Sequence, residues 1–278
     1  MPQFDIDHHA TAVTTMVRAA SRTSLDWYRQ PIVVDNKLAE GYDPVTEADR
    51  AVEDEIRKAL GELFPDHAIL GEERGETGSG SLRWTIDPID GTRAFVSGQP
   101  MWGTLLGFQE DGLPVAGWMH QPVLDETHVA TPAGGVLFVG DPSSPSQKRS
   151  LASRRTTRLD EAILLSTHPD MFESGWQQDG FGSLDAAVQL TRYSGDCANY
   201  GLLADGQVDL VVENGLAVYD IVPLIPIVES AGGIITDLDG RSPLQGGFVV
   251  AAATPELHAA ALELLARPTE LPVLTTQC

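Results

Sequence analysis

The chain has 278 residues, 42% of them hydrophobic, and carries 40 Asp and Glu against 18 Lys and Arg, a formal net charge of −22. So acidic a surface repels nucleic acid and anionic membranes, no apolar run reaches the ~18 residues of a spanning helix, and the opening MPQFDIDHHA has neither the basic start nor the apolar centre of a secretory signal. A cytoplasmic, enzyme-like protein is the expectation, and two cysteines, Cys197 and Cys278, are too few for a disulfide framework.

The pattern begins helical. Residues 10–27 are nearly free of Gly and Pro, and residues 46–64 open with Thr46, Glu47 and Asp49 before Val52, Ile56, Leu60 and Leu63 recur at helical spacing. Short β-rich stretches follow at 67–70, 82–86, 103–108, 114–120 and 126–131, separated by Gly, Pro and Asp turns. GETGSGS at 75–81 reads as a mobile loop. The Pro- and Ser-rich DPSSPSQKRS at 141–150 reads as a linker between subdomains 1–140 and 151–267, with 268–278 as a flexible tail. In the second half, 162–166, 208–212, 233–237 and 247–252 suit strands, while 196–203, 219–230 and 255–265 suit helices. This mixture predicts an α+β protein of stacked helical and sheet layers.

Four acidic features fall at element boundaries: Asp49 at a helix start, Glu72 with Glu73 after an apolar run, Asp87 and Asp90 in WTIDPIDGTRAF, and Asp220 before a helix. Asp and Pro are poor strand-interior residues, so the chain is expected to leave its sheet at Asp87. Two acids at one strand end repel each other unless a cation or hydrogen-bond donors compensate. Carboxylates, a backbone carbonyl and water are what a hard cation such as Mg²⁺ takes. Gly91-Thr92 then supplies a flexible backbone position and a hydroxyl, suited to a ligand oxygen. Plainer readings stand beside these: Asp49 suits a first-turn acid, Asp220 an N-cap, and Glu72-Glu73 a solvated turn.

DPVTEAD (43–49), GEE (71–73), DPIDGT (87–92) and YDIVPLIPIVESAGG (219–233) together resemble the successive signatures of the inositol monophosphatase family of Mg²⁺-dependent phosphatases. The resemblance implies the layered α-β-α-β-α sandwich of the inositol monophosphatase and fructose-1,6-bisphosphatase type, a homodimer, and two or three Mg²⁺ per active site. Carried over by position, it implies that Glu72, Asp87 and the Ile89 carbonyl hold one metal and that Asp87, Asp90 and Asp220 hold another. Glu72, Thr92 and Asp49 become catalytic, with Thr92 and Asp49 orienting the attacking water, and the amides of Gly91 and Thr92 receive phosphate oxygens. Metals reverse the repulsion that a bare carboxylate cluster would present to a phosphate dianion.

Beyond DPIDGT the chain continues Arg93-Ala94-Phe95, Asp196 stands in SGDC, and Tyr219 precedes Asp220, all of which resemble the histidinol-phosphate phosphatase branch. That branch implies L-histidinol phosphate as substrate; inositol 1-phosphate, or a broader range of sugar and nucleotide phosphates, is the alternative. An ester bearing an ammonium and an imidazole would pair with acids beside the metals, and Asp196 and Glu213 are the candidates. Arg93 suits either a phosphate contact or a structural salt bridge, and Asp196 equally suits the cap of the helix that follows it. Cys197, Phe95 and Trp102 read as core. Two rivals remain: an aspartyl-phosphate scheme at Asp237 and Asp239, which read better as a turn, and an inert metal-binding regulatory protein. Lys37 has no place assigned relative to the metal site.

Overall fold

The helical period of the first third does fold as helix, from an earlier start than Ala10. In the computed structural model, which describes residues 4–31, 33–36 and 44–266, helix α1 (Ile6–Thr23) begins where the Asp5 carboxylate accepts the His8 N–H at 3.2 Å. Lys37 and the tail from Pro268 lie outside the described residues. Strands β1 (Val34–Asn36) and β2 (Pro44–Thr46) pair antiparallel. Helix α2 (Glu47–Leu63) then opens on a capping box: the Thr46 hydroxyl accepts the Ala48 N–H, and Asp49 reaches back to the Thr46 N–H at 2.8 Å.

Next come β3 (Ala68–Gly71), β4 (Gly75–Thr77), β5 (Leu82–Asp90), the short helix α3 (Thr92–Val96), β6 (Gly103–Glu110), β7 (Leu113–Gln121), β8 (Glu126–Thr131), β9 (Gly134–Val139) and β10 (Gln147–Ser150). The strands form one eight-stranded sheet in the order β10-β9-β8-β7-β6-β5-β3-β4. Two expectations change here. Part of GETGSGS is strand β4, and the stretch expected as a linker is a turn followed by β10, which pairs antiparallel with β9. Strand β10 is exposed along its whole length, so no apolar alternation announces it; backbone pairing with β9 and the Arg149–Asp205 ion pair hold it.

The second half gives β11 (Ile163–Ser166), α4 (Trp176–Ala187), β12 (Leu190–Tyr193), α5 (Cys197–Ala204), β13 (Leu210–Leu216), α6 (Val218–Ile221), α7 (Leu224–Ser230), β14 (Ile234–Thr236), β15 (Gly247–Ala252) and α8 (Pro255–Leu265). Its strands form a five-stranded sheet, β12-β11-β13-β15-β14. The single helix expected over 219–230 is two, parted at Pro223, which has no N–H to continue the first ladder.

Packing sets the layers. Val13, Val17, Val52, Ile56 and Leu60 of α1 and α2 lie on Trp84, Ile86, Leu106 and Trp118 of the large sheet. Leu105, next to Leu106 on β6, points the other way into a second cluster with Tyr200, Leu203 and Ile227 of α5 and α7 and Val211 and Val249 of the small sheet. Phe181 and Leu184 of α4 and Leu257 and Ala261 of α8 close the far face. The result is an α-β-α-β-α sandwich. Its large sheet is buried on both faces, which is why GTLLGF of β6 reads as one apolar run rather than an alternation. The middle cluster draws on residues from both sides of 150, so the core crosses the boundary expected there. Among the described residues no helix is long and apolar enough to cross a membrane.

Candidate active site

Strand β5 does not leave the sheet at Asp87. It stays paired with β6 to Asp90, but Asp87 lies opposite Leu105 and Asp90 opposite Gly103, so Pro88 and Ile89 face the single residue Thr104 across a bulge. The bulge absorbs Pro88, which has no N–H for the ladder, and the Thr104 hydroxyl donates to the Pro88 carbonyl at 2.7 Å. It also redirects side chains. In a regular strand, residues three apart face opposite sides of the sheet; the extra residue brings Asp87 and Asp90 to the same side. There they meet Asp220, with one carboxylate oxygen from each residue lying within 4.8 Å of the others. Gly91 follows at φ +83°, the left-handed turn that starts α3.

Each remaining acid is aimed by its own element. Asp220 is the third residue of α6, not an N-cap, and turns back to accept the Ala217 N–H at 2.7 Å. Glu72 follows β3, with its N–H on the Ile86 carbonyl at 3.1 Å, and lines the cleft. Asp49 satisfies both of its readings: one oxygen serves the capping box, and the other stands 3.4 Å from the Thr92 hydroxyl, which also lies 3.0 Å from the Ile89 carbonyl.

One supporting residue escaped the sequence reading. Glu53, a turn after Asp49 on α2, is fully buried and accepts hydrogen bonds from the Glu73 N–H (2.7 Å), the Arg74 N–H (3.1 Å) and Arg57 Nε (2.6 Å). It thereby fixes the backbone immediately after Glu72. Gly71 is needed for this, because a Cβ there would come within 2.1 Å of Glu53 Oε1. The signal was present in the sequence: an acid on the same helical face as Ile56 and Leu60 is buried and must be paired.

Glu72, Asp87, Asp90, Thr92 and Asp220 line a cleft of about 590 Å³, whereas Asp49 and Glu53 are buried outside its lining. Burial, then the charges of Glu72, Asp90 and Asp220, push the Asp87 carboxyl well above its ordinary range. Burial with Asp196 and Asp220 does the same to Asp90, against the pull of the Cys197 N–H, which donates to it at 2.5 Å from the start of α5. Burial lifts Asp49 to about 6. Burial and mutual repulsion disfavour the ionised form of these carboxyls; a divalent cation would relieve the repulsion and take them ionised. One atom favours that outcome. Asp87 Oδ1 is buried without a hydrogen-bond partner, a costly arrangement for an acceptor unless something else satisfies it. Because the clustered donors are all carboxylate oxygens, the set suits Mg²⁺ better than Zn²⁺.

Asp196 lines the same cleft. Its side chain makes no cap to α5; instead its carboxylate lies over Gly91, where a Cβ would stand 3.0 Å away. Burial raises it to about 6, with Arg93, another lining residue, pulling it down and Asp220 pushing it up. Glu213 departs from expectation. Only 1% exposed, it borders a recess of about 30 Å³ behind Asp196 rather than the cleft itself. Its Oε1 accepts from the Thr167 N–H (3.1 Å), the Thr167 hydroxyl (2.7 Å) and the Asn199 amide (3.2 Å). Cys197, Phe95 and Trp102 are core residues as read. Asp237 lies outside the cleft lining and accepts the N–H groups of Asp239 and Arg241 in its own turn.

Five layers carrying an all-oxygen carboxylate cluster at a strand bulge beside a helix start define a site suited to divalent cations and anionic esters. The chain belongs to the inositol monophosphatase family, a family of metal-dependent phosphatases, whose model matches residues 5–270. The histidinol-phosphatase of Mycobacterium tuberculosis is 37% identical over 75% of this chain and 79% of its own length. The inositol-1-monophosphatase of Mesorhizobium japonicum is 30% identical over 81% of this chain and 84% of its own. Among solved structures, an inositol monophosphatase from Zymomonas mobilis matches with a TM-score of 0.78 and 35% identity, covering 95% of this chain and 99% of that one.

Proposed function

We propose that the protein is a Mg²⁺-dependent phosphate monoesterase that hydrolyses L-histidinol phosphate to L-histidinol and phosphate. The observation that carries the substrate is Asp196, a carboxylate turned into the cleft with no helix-capping bond of its own. An ammonium on the substrate satisfies it, whereas a neutral polyol gives it no opposite charge. A charge-assisted contact of this kind contributes about 1.5–3 kcal/mol, roughly tenfold to hundredfold in selectivity.

In this reading Glu72, Asp87 and the Ile89 carbonyl would hold one cation, and Asp87, Asp90 and Asp220 would hold another. Bound Mg²⁺ would neutralise charge on the phosphoryl oxygens and lower the pKa of the attacking water. The chain's own groups do the rest. The amides of Gly91 and Thr92, where α3 begins, and the Arg93 guanidinium receive phosphate oxygens. The Thr92 hydroxyl, 3.4 Å from Asp49, would accept a hydrogen bond from the attacking water and aim it at phosphorus, passing its own proton to Asp49 as the water gives one up. Thr46 keeps Asp49 in place for that role, with bonds of 2.8 and 2.5 Å to its second oxygen.

Phosphate release from histidinol phosphate is expected to require Mg²⁺, to stop with EDTA and to return when the metal is restored. Thr92→Ala is expected to lower kcat by ~10²–10³ with KM within about threefold of the parent. Release without metal, or a Thr92→Ala enzyme of near-normal kcat, would contradict the assignment.

A further inference from the structure

Ser194, Gly195 and Asp196 are three consecutive residues with positive φ, at 78°, 135° and 46°. Asp196 combines its φ with a ψ of −132°, a conformation that residues with a Cβ rarely adopt. Such strain persists only where the surroundings over-determine it. The determinants run from Thr167 on the cleft wall to the buried Glu213 and Asn199. The Asp196 N–H donates to the Thr167 hydroxyl at 2.9 Å, and that hydroxyl donates in turn to Glu213 Oε1 at 2.7 Å. Glu213 Oε1 also accepts the Asn199 amide at 3.2 Å, and the Asn199 side chain lies over Gly195, where a Cβ would come within 2.1 Å of its Oδ1. The end of β11, strand β13 and the first turn of α5 thus converge on one short segment.

We propose that Thr167, Glu213 and Asn199 form a clamp that holds Asp196 in its strained backbone conformation, and that Glu213 favours a cationic ester by positioning Asp196 rather than by touching substrate. This rests on the reading of Asp196 as the partner of the substrate ammonium. Relaxation of Asp196 to negative φ would swing its Cα–Cβ bond and carry the carboxylate away from Gly91. The Thr167 hydroxyl opposes that swing by holding the Asp196 N–H, and Glu213 opposes it by orienting the hydroxyl. What Glu213 must supply is an accepting oxygen; its charge is not required.

The test uses the full chain with Mg²⁺ and compares kcat/KM on histidinol phosphate with that on phenyl phosphate, which has no cation. Asp196→Asn is expected to lower this ratio ~tenfold or more, the loss of one charge-assisted contact. Glu213→Leu, which removes the acceptor, should lower it by a similar factor through KM, and Glu213→Gln, which keeps an accepting oxygen, should stay within about threefold of the parent. Adding Glu213→Leu to Asp196→Asn should change the ratio by less than about twofold, because a positioning effect vanishes with the group positioned. A tenfold loss in Glu213→Gln, or additive losses in the double variant, overturns the clamp. An unchanged ratio in Asp196→Asn overturns instead the reading on which it rests. If Glu213→Leu does not fold by circular dichroism, Glu213→Gln still separates positioning from direct pairing.

Discussion

Asp90→Asn is expected to lower turnover by at least ~10³, about 4 kcal/mol of transition-state stabilisation, while the metal-free variant melts no lower than the metal-free parent. Asparagine keeps an oxygen for the Cys197 N–H, so the start of α5 remains held. It removes a carboxylate that burial and the charges of Asp196 and Asp220 already disfavour in ionised form, which relieves repulsion in the empty cluster. The same change deletes a charged oxygen from the cation site. Ligand binding to the folded state alone stabilises it by about 2.7 kcal/mol at a concentration a hundred times Kd, and that gain should shrink in the variant. Thermal melts with and without Mg²⁺, run beside the turnover assay, check all three parts. Near-normal turnover with an undiminished Mg²⁺ shift would remove Asp90 from the metal site.

Glu53→Ala is expected to be the most destabilising change near the site. The parent carboxylate is fully buried and accepts from two backbone N–H groups and from Arg57, whose side chain is 13% exposed. Removing one member of a buried, hydrogen-bonded ion pair costs about 3–5 kcal/mol; here the Glu73 and Arg74 N–H groups lose their acceptor and Arg57 keeps only the Thr77 hydroxyl and the Gly75 carbonyl. For a chain of this size that corresponds to a fall in Tm of roughly 10 °C. The backbone after Glu72 would also lose its anchor, so half-maximal activity should need more Mg²⁺. Glu53→Gln retains an acceptor for the Glu73 and Arg74 N–H groups and should lose only part of both. A Tm within about 2 °C of the parent in Glu53→Ala would show that the loop is held by other means.

Much of the site was legible because acids and the glycine that follows them are punctuation in a sequence. Asp87, Asp90 and Asp220 do converge, and Thr92 does stand before Asp49. What the linear pattern hid was how they converge: a bulge keeps β5 in its sheet through Pro88, whereas strand propensity had the chain leaving at Asp87. Glu213 was legible as an acid near the site but not as a buried one, since its three hydrogen bonds come from Thr167 and Asn199, both distant in sequence from it. The fold shows the same division. Helices α2 and α8 and strand β8 carried their own period and caps. Helix α4 did not, because Gly180 and Gly182 dilute its propensity and tertiary packing of Phe181 and Leu184 decides it.

The selection of a cationic ester is tested most directly by kcat/KM on histidinol phosphate and on inositol 1-phosphate, measured on one Mg²⁺-loaded preparation alongside Asp196→Ala. A preference of up to ~10²-fold for histidinol phosphate, falling to near parity in the variant, is expected from a desolvated ammonium–carboxylate contact. Equal rates on the two esters, or a preference for inositol 1-phosphate, would contradict it and leave Asp196 without a role in choosing the substrate.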